Sequence, residues 1–361
     1  MMYSSTNSQT KSAFFTAPTE IRHAIYAYLL PDRTHLCLSD GKPWFSPCVQ
    51  DEEDADPGCF RQRMHVTGCI TNHFAANSDS LYAHRLMCSW GPHWRCEETA
   101  TEMQNSRRMG GDAIPRALFL TCKRWLFEAA ERVADTVIIH VNDIDTLGFV
   151  IAAALSGEIG PDRSVTSTVR TLIVQNLTSL DIGMRLSLST YSAHATSETL
   201  SRTASLHSTF NSMPFAIERM TRLRRLRIWL DHDEPCSWSM VNERALLSPL
   251  APLANLPSLQ SSVSLPKLHP KWEAAGRHYT NASAPQPFAV HRRVRQRYHG
   301  IKSNDGTLGV EYKPDFPVLY EFAETDMTME EVERLERRIW EAGDDPIDDI
   351  MAFTPACTMS I

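Results

Sequence analysis

Helical and strand periods alternate along most of this chain, and the first of them is helical. In residues 17–31, Ile21, Ile25, Tyr28 and Leu29 fall at i, i+4, i+7 and i+8 behind Pro18, and Pro31 prevents continuation. The spacing predicts a short amphipathic helix with one apolar stripe. From 32 to 111 neither period persists, and that stretch is read as an irregular insertion, partly ordered at best. Helical spacing returns in residues 115–133 with Leu118, Cys122, Trp125, Ala129 and Val133. A β-rich run, residues 136–141, follows, and Asn142 and Asp143 then offer N-caps for a helix through Leu147, Phe149, Val150 and Leu155. Residues 169–174 and 225–230 are expected to be strands, the second with Leu226, Ile228 and Leu230 on one face. Between them a Ser/Thr-rich tract, 187–212, reads as a loop with at most a weak helix, and 213–220 as a helical lead into the second strand. The alternation of strand and helix implies an α/β architecture with parallel crossovers, α+β being the alternative.

Two segments repeat a leucine-rich pattern. Leu223, Leu226, Ile228 and Leu230 match the core of a leucine-rich repeat, and Val169, Leu172, Val174 and Leu177 are similar. Leu172 and Leu226 are 54 residues apart, against ~20–29 for a regular repeat. Any such array is degenerate.

Composition narrows the classes without naming a substrate. With 361 residues, 42% hydrophobic and 22% charged, the chain can bury a core, and wholly disordered or disulfide-knot classes are excluded. A net charge of −7 removes a generic electrostatic reason to expect nucleic-acid or acidic-membrane binding. That charge is unevenly spread. Residues 267–302 carry eight basic residues against one acidic, a net +7, and residues 305–361 carry fifteen acidic against four basic, a net −11. The expectation is an intramolecular clasp between the basic segment and an acidic tail. In the tail, Thr328-Met329-Glu330-Glu331 is a capping box for a helix with Met329, Val332, Leu335 and Ile339 on one side, ended by Gly343. The start, residues 1–16, holds one charge and no continuous apolar run, so it reads as a disordered lead and not a secretory signal. Together with nine irregularly spaced cysteines, this points to reduced thiols and an intracellular setting, cytoplasm or nucleus.

Candidate chemistry is sparse. Six cysteines (Cys37, Cys48, Cys59, Cys69, Cys88, Cys96) and four histidines (His65, His73, His84, His93) lie in the irregular stretch. Only His93 and Cys96 stand three residues apart, as in a zinc knuckle, and no second pair at that spacing occurs. The expectation is therefore incidental thiols, with no metal site and no cofactor. Asp231-His232-Asp233-Glu234 reads as a solvated strand-end turn stopped by Pro235, and Arg219, Arg222, Arg224, Arg225 and Arg227 as a scattered basic set. No Walker, dinucleotide, zincin or nucleophile-elbow motif occurs, so no catalytic residue is nominated.

Pro18, Glu20, Ile21, Arg22, Ile25, Tyr26, Tyr28, Leu29 and Leu30, followed by Leu118, Leu120, Thr121, Cys122, Lys123, Arg124, Glu128 and Ala129, resemble the F-box-like domain of filamentous-fungal (ascomycete) proteins. The family's leading Leu is Ala17 here, and its two pieces are separated by the long insertion. The resemblance implies N-terminal F-box-like helices packed on a small strand-helix body with degenerate leucine-rich-repeat-like units. It further implies a non-enzymatic interaction protein, an adaptor linking a target protein to the F-box-binding subunit of a ubiquitin ligase. The stripe residues Pro18, Ile21, Ile25, Tyr28, Leu29, Leu118, Cys122 and Trp125 would either enter a partner's groove or pack internally. The organisation expected is a lead (1–16), a split F-box-like unit (17–31 and 115–135), an insertion (32–114), an α/β body (136–266) and a basic-then-acidic tail (267–361).

Overall fold

Along the central strands of this protein apolar and polar residues take turns, and the sheet they build has two chemically different faces. The computed structural model describes residues 11–50, 80–105, 114, 122–156, 172–191, 200–281, 283–313, 315–321 and 327–353. Seven strands, β1 (Arg33–Ser39), β2 (Lys42–Pro47), β3 (Ile138–Val141), β4 (Ser179–Leu186), β5 (Arg225–His232), β6 (Gln260–Pro266) and β7 (Ala289–Arg293), form one sheet in the order β2-β1-β3-β4-β5-β6-β7. Only the β1–β2 pair is antiparallel. The architecture is mixed α/β with a mostly parallel sheet.

Because each parallel strand from β3 to β5 is added beside its predecessor, right-handed crossovers place the helices that connect them on one face. The helices α1 (Thr19–Leu29), α2 (Ser80–Leu86), α3 (Trp94–Asn105), α4 (Lys123–Thr136), α5 (Ile144–Leu155) and α6 (Leu200–Arg219) precede β6 in the chain. Of these, α5 and α6 pack side by side, and α6 meets the 3-10 segment Ser248–Asn255. Under them lies the main core, with Leu36, Ile139, Val141, Leu180, Ile182, Leu226, Ile228 and Val263 pointing from five strands into one apolar layer. Each such side chain contributes ~1.5–3 kcal/mol when fully buried. Asp143 caps α5, its Oδ1 accepting from Thr146 N at 2.7 Å.

The opposite face is polar. Register places His35, His140, Asp181 and Arg227 in one row across β1, β3, β4 and β5. Residues 86–93 lie over this face: Trp90 stacks on His35, and the Arg185 guanidinium donates to the carbonyls of Leu86 and Cys88. Gly91 adopts φ +59°, and a Cβ there would stand 2.3 Å from the Trp229 ring, so only glycine permits this approach. The hairpin β8 (Tyr298–Lys302) and β9 (Leu308–Tyr312) packs on α2.

At the N-terminal edge α1 rests on α4. Tyr26 is buried, with ring centroids 5.5 Å from Trp125 and 5.8 Å from Phe14, and Arg22 pairs with Glu128 at 2.7 Å. At the other end α7 (Met329–Glu341) carries the expected capping box between Thr328 and Glu331 and stops before Gly343 at φ +94°; α8 (Pro346–Phe353) follows.

Several expectations need correction. The stretch read as an irregular insertion contains β1, β2, α2 and α3, and two of these are strands of the main sheet. Its hairpin turns through Asp40 and Gly41, both at positive φ, a turn signal that the absence of a sustained period obscured. Residues 51–79, including Cys59, Cys69, His65 and His73, lie outside the described residues, as does Leu118. Of the expected strand 169–174, residues 172–176 are helical, because Ile173 and Leu177 bury together at helical spacing; the strand is β4, a few residues on. The expected repeat around Val169 therefore has no strand at its described positions. The Ser/Thr-rich tract holds α6 from Leu200, not a loop. Cys122 has extended backbone and is the N-cap of α4, which begins at Lys123; residues 115–121 of the expected helix lie outside the described residues. Within the expected disordered lead, Ala13–Thr16 forms a helical turn that sets Phe14 against Trp125 at 4.0 Å. The α/β body is also larger than 136–266, since β1, β2 and β7 complete its sheet. No helix among the described residues is long and apolar enough to cross a membrane.

Candidate functional site

Among the described residues, two places on this framework gather residues with chemistry, and a third presents an apolar surface. The surface is the outer side of α1. Tyr26 and Leu30 face inward, which turns the expected stripe outward: Ile21 is 53% exposed, Ile25 37%, Tyr28 90% and Leu29 37%. Pro18, the N-cap of α1, is exposed too. Trp125, placed on the same stripe from its spacing, instead packs beneath α1, and Cys122 accepts from Trp125 N at 3.5 Å as the cap of α4. The two expected helical pieces do meet, through α1 and α4.

The first cluster sits where the β1–β2 edge meets residues 88–96. His35 comes from β1, Cys48 from just beyond β2, His93 from the end of the 3-10 turn Gly91–His93, and Cys96 from the first turn of α3. Their ligand atoms all lie within 4.8 Å of one another. Cys96 Sγ is 3.9 Å from Cys48 Sγ, and His93 Nδ1 is 3.7 Å from each sulfur. His35 and Cys96 are fully buried. His35 Nδ1 is 2.6 Å from Asn142 Oδ1, whose own Nδ2 donates to the Gly183 carbonyl at 3.2 Å, so the amide orientation is set and Nδ1 is the protonated nitrogen. A Cβ at Gly183 would stand 3.1 Å from that Nδ2, so the bare glycine leaves the amide its place. The His35 Nε2 atom has no hydrogen-bond partner. The Cys96 thiol, donating to Cys48, holds the Cys48 thiol far below the usual thiol range, and the same bond pushes Cys96 up. Burial lowers His35, and lowers His140, whose ring stacks 5.0 Å from that of His35.

Spacing along the chain missed this cluster. His93 and Cys96 were recognisable as a knuckle-like pair, but the other two ligands are 13 residues apart and converge only because an antiparallel hairpin returns Cys48 beside His35. The Asp40-Gly41 turn is the signal that could have found it.

The second cluster corrects the reading of residues 231–234 as a solvated turn. Asp231 and His232 are buried. Asp231 pairs with Arg295 at 3.1 Å and with Arg185 at 3.5 Å, and Glu234 accepts from Leu188 N at 2.9 Å. Burial, then the Arg295 and Arg185 charges, lower His232 to about 2, and burial followed by Arg295 lowers His299 to about 3. These neutral rings beside a paired carboxylate form a structural tie between β4, β5 and the segment entering β8.

The remaining charges behave differently from one another. The basic residues of the expected clasp mostly serve the body: Arg292 pairs with Glu243 at 2.6 Å and Arg295 with Asp231. Described contacts with the acidic tail include Lys267 with Glu333, Arg337 with Glu273 at 3.3 Å, Arg297 donating to the Val318 carbonyl at 3.1 Å, and Lys271 over the Trp340 ring. The scattered arginines stay scattered. Arg222 pairs with Asp135, Arg225 donates to Ser179 Oγ, and Arg227 faces Asp181 at 3.9 Å.

Fold and clusters together define a mixed α/β protein whose mostly parallel sheet buries one apolar face under helices and one polar face under an irregular cover. The chain belongs to the family of a domain of unknown function, DUF7730, which matches residues 7–280. That span takes in α1, the His/Cys cluster and the sheet as far as β6. Neither a curated protein nor a solved structure matches the chain.

Proposed function

We propose that this protein is a non-enzymatic interaction module, an F-box-like adaptor of intracellular, fungal type. Its α1 stripe would enter a groove on the F-box-binding subunit of a ubiquitin ligase, and its α/β body would hold a target protein. The observation that carries the reading is the outward stripe of Ile21, Ile25, Tyr28 and Leu29, four apolar side chains at helical spacing that the fold leaves uncovered. The monotonic order of parallel strands, with α4, α5 and α6 on one face, supports the companion reading of degenerate leucine-rich-repeat-like units, since a repeat coil adds each unit beside the last. The competing reading, helices kept only for packing, draws on Tyr26 and the Arg22–Glu128 pair.

Tagged full-length protein purified under native conditions separates the two. The adaptor reading expects the ligase subunit to co-purify and to be lost in Ile25→Asp and Tyr28→Ala, with the melting temperature nearly unchanged. The packing reading expects Ile25→Asp to melt several degrees lower, at ~2–4 °C per kcal/mol for a chain of this size. Absence of the subunit from the wild-type preparation defeats the adaptor reading.

A further inference from the structure

We propose that His35, Cys48, His93 and Cys96 form a closed tetrahedral zinc site that pins residues 88–96 to the edge of the sheet. Zinc bound at ~2.3 Å from sulfur and ~2.0–2.1 Å from nitrogen, with tetrahedral angles, requires S···S near ~3.8 Å and S···N near ~3.6 Å. The observed separations are 3.9 Å between the two sulfurs and 3.7 Å from His93 Nδ1 to each of them. A hydrogen-bonded thiol pair and an imidazole could be arranged in many ways. Three separations that together match one face of a metal tetrahedron are a narrower outcome, and the His35 ligand atom lies within 4.8 Å of all three.

The donor chemistry agrees with the geometry. Two thiolates and two neutral imidazoles around a divalent cation sum to zero charge, which suits a site with His35 and Cys96 fully buried. Without a metal, His35 Nε2 is a buried nitrogen lacking a partner, and such an orphan costs ~1–3 kcal/mol. Asn142 holds the other ring nitrogen, as outer-sphere carbonyl oxygens do for zinc-bound histidines, leaving Nε2 as the donor toward the cluster. Gly183 makes room for Asn142, and Gly91, pressed on Trp229, starts the turn that delivers His93. Four protein donors fill the tetrahedron and leave no open position, so the metal's role is structural and not catalytic. It would close the 45-residue separation between Cys48 and His93, the kind of long loop whose closure most restricts the unfolded chain.

Full-length protein, expressed in zinc-supplemented medium and purified without chelators, provides the test by elemental analysis and by cobalt substitution. The expected result is about one zinc per chain. Replacing it with cobalt should give the strong visible absorption of a tetrahedral thiolate site. Cys48→Ser and Cys96→Ser should each abolish that absorption, and Cys37→Ser, a buried neighbour outside the donor set, should retain it. Should the serine variants fail to fold, chelation of the wild-type protein serves instead: zinc removal should lower the melting temperature and zinc addition restore it. Zinc at the level of a blank, with no cobalt uptake by the wild-type chain, would overturn the proposal. So would full cobalt absorption in the Cys48→Ser/Cys96→Ser double variant. A Cys48–Cys96 disulfide trapped by alkylation at lysis, in protein free of metal, would overturn it as well.

Discussion

Asn142 Oδ1 stands 2.6 Å from His35 Nδ1, joining the end of β3 to the middle of β1 across the polar face of the sheet. The bond does for the imidazole what backbone alone cannot, because it selects the tautomer and turns Nε2 toward Cys48, His93 and Cys96. The amide is itself anchored on Gly183.

Loss of that anchor should be visible in metal affinity before it is visible in fold. Asn142→Ala is expected to weaken zinc binding ~10–100-fold, the usual effect of deleting an outer-sphere partner of a zinc histidine. Gly183→Ala should act in the same direction, since its Cβ would crowd the Asn142 amide. Competition with a chromophoric chelator measures both, and unchanged affinity in Asn142→Ala would mean that His35 is oriented by other contacts.

The two tyrosines of α1 should behave oppositely. Tyr26 is buried against Phe14 and Trp125, so Tyr26→Ala is expected to cost ~3–5 kcal/mol in denaturant unfolding. Tyr28 projects into solvent, and Tyr28→Ala should stay within about 0.5 kcal/mol of the wild type. A large loss for Tyr28→Ala would mean that the exposed stripe has a packing role.

Asp231 neutralises two buried guanidinium groups, those of Arg185 and Arg295. Asp231→Leu leaves both without their carboxylate and should destabilise by ~3–5 kcal/mol. The double variant Asp231→Leu/Arg295→Met removes one stranded charge along with its partner and should recover part of that loss. Additive effects in the double-mutant cycle would show that the pair is not coupled.

Glu336 on α7 sets a pH dependence for the C-terminal region. Burial raises its carboxyl from 4.5 to about 7, with Asp315 adding to the rise and the Leu319 N–H and Arg297 opposing it. Between those values the native chain binds more protons than the unfolded one, so this residue's stabilising contribution is full below about 4.5 and is lost as the pH climbs through about 7. Glu336→Gln keeps an acceptor for Leu319 N and cannot ionise. The melting temperature of the wild type should therefore fall relative to Glu336→Gln between about pH 5 and pH 8. A constant difference across that range would mean that Glu336 titrates as an exposed carboxylate.

Periodic segments were legible along the chain because their cause is local. The stripe on α1, the Asp143 cap of α5, the alternation of β5 and the Thr328 capping box each follow from residues within a turn or two of one another. The run at 169–174 shows the limit: β-branched residues favour a strand, yet Ile173 and Leu177 gain more by burying along one helical side. The stretch 32–111 shows another. Its strands are only seven and six residues long, and the alternation of β1 rests on Leu36 and Leu38 alone, with Cys37 between them, too short a pattern to stand out as a sustained period.

By itself the sequence determined the α/β class, the outward or inward periodicity of its helices and the charge imbalance of its C-terminal third, all properties of neighbouring residues. Only the tertiary structure decided which face of α1 is covered, which arginines meet Asp231, and that His35 and Cys48 join His93 and Cys96. Those outcomes depend on strand pairing and on chain returns tens of residues long, where sequence spacing carries no information about distance in space.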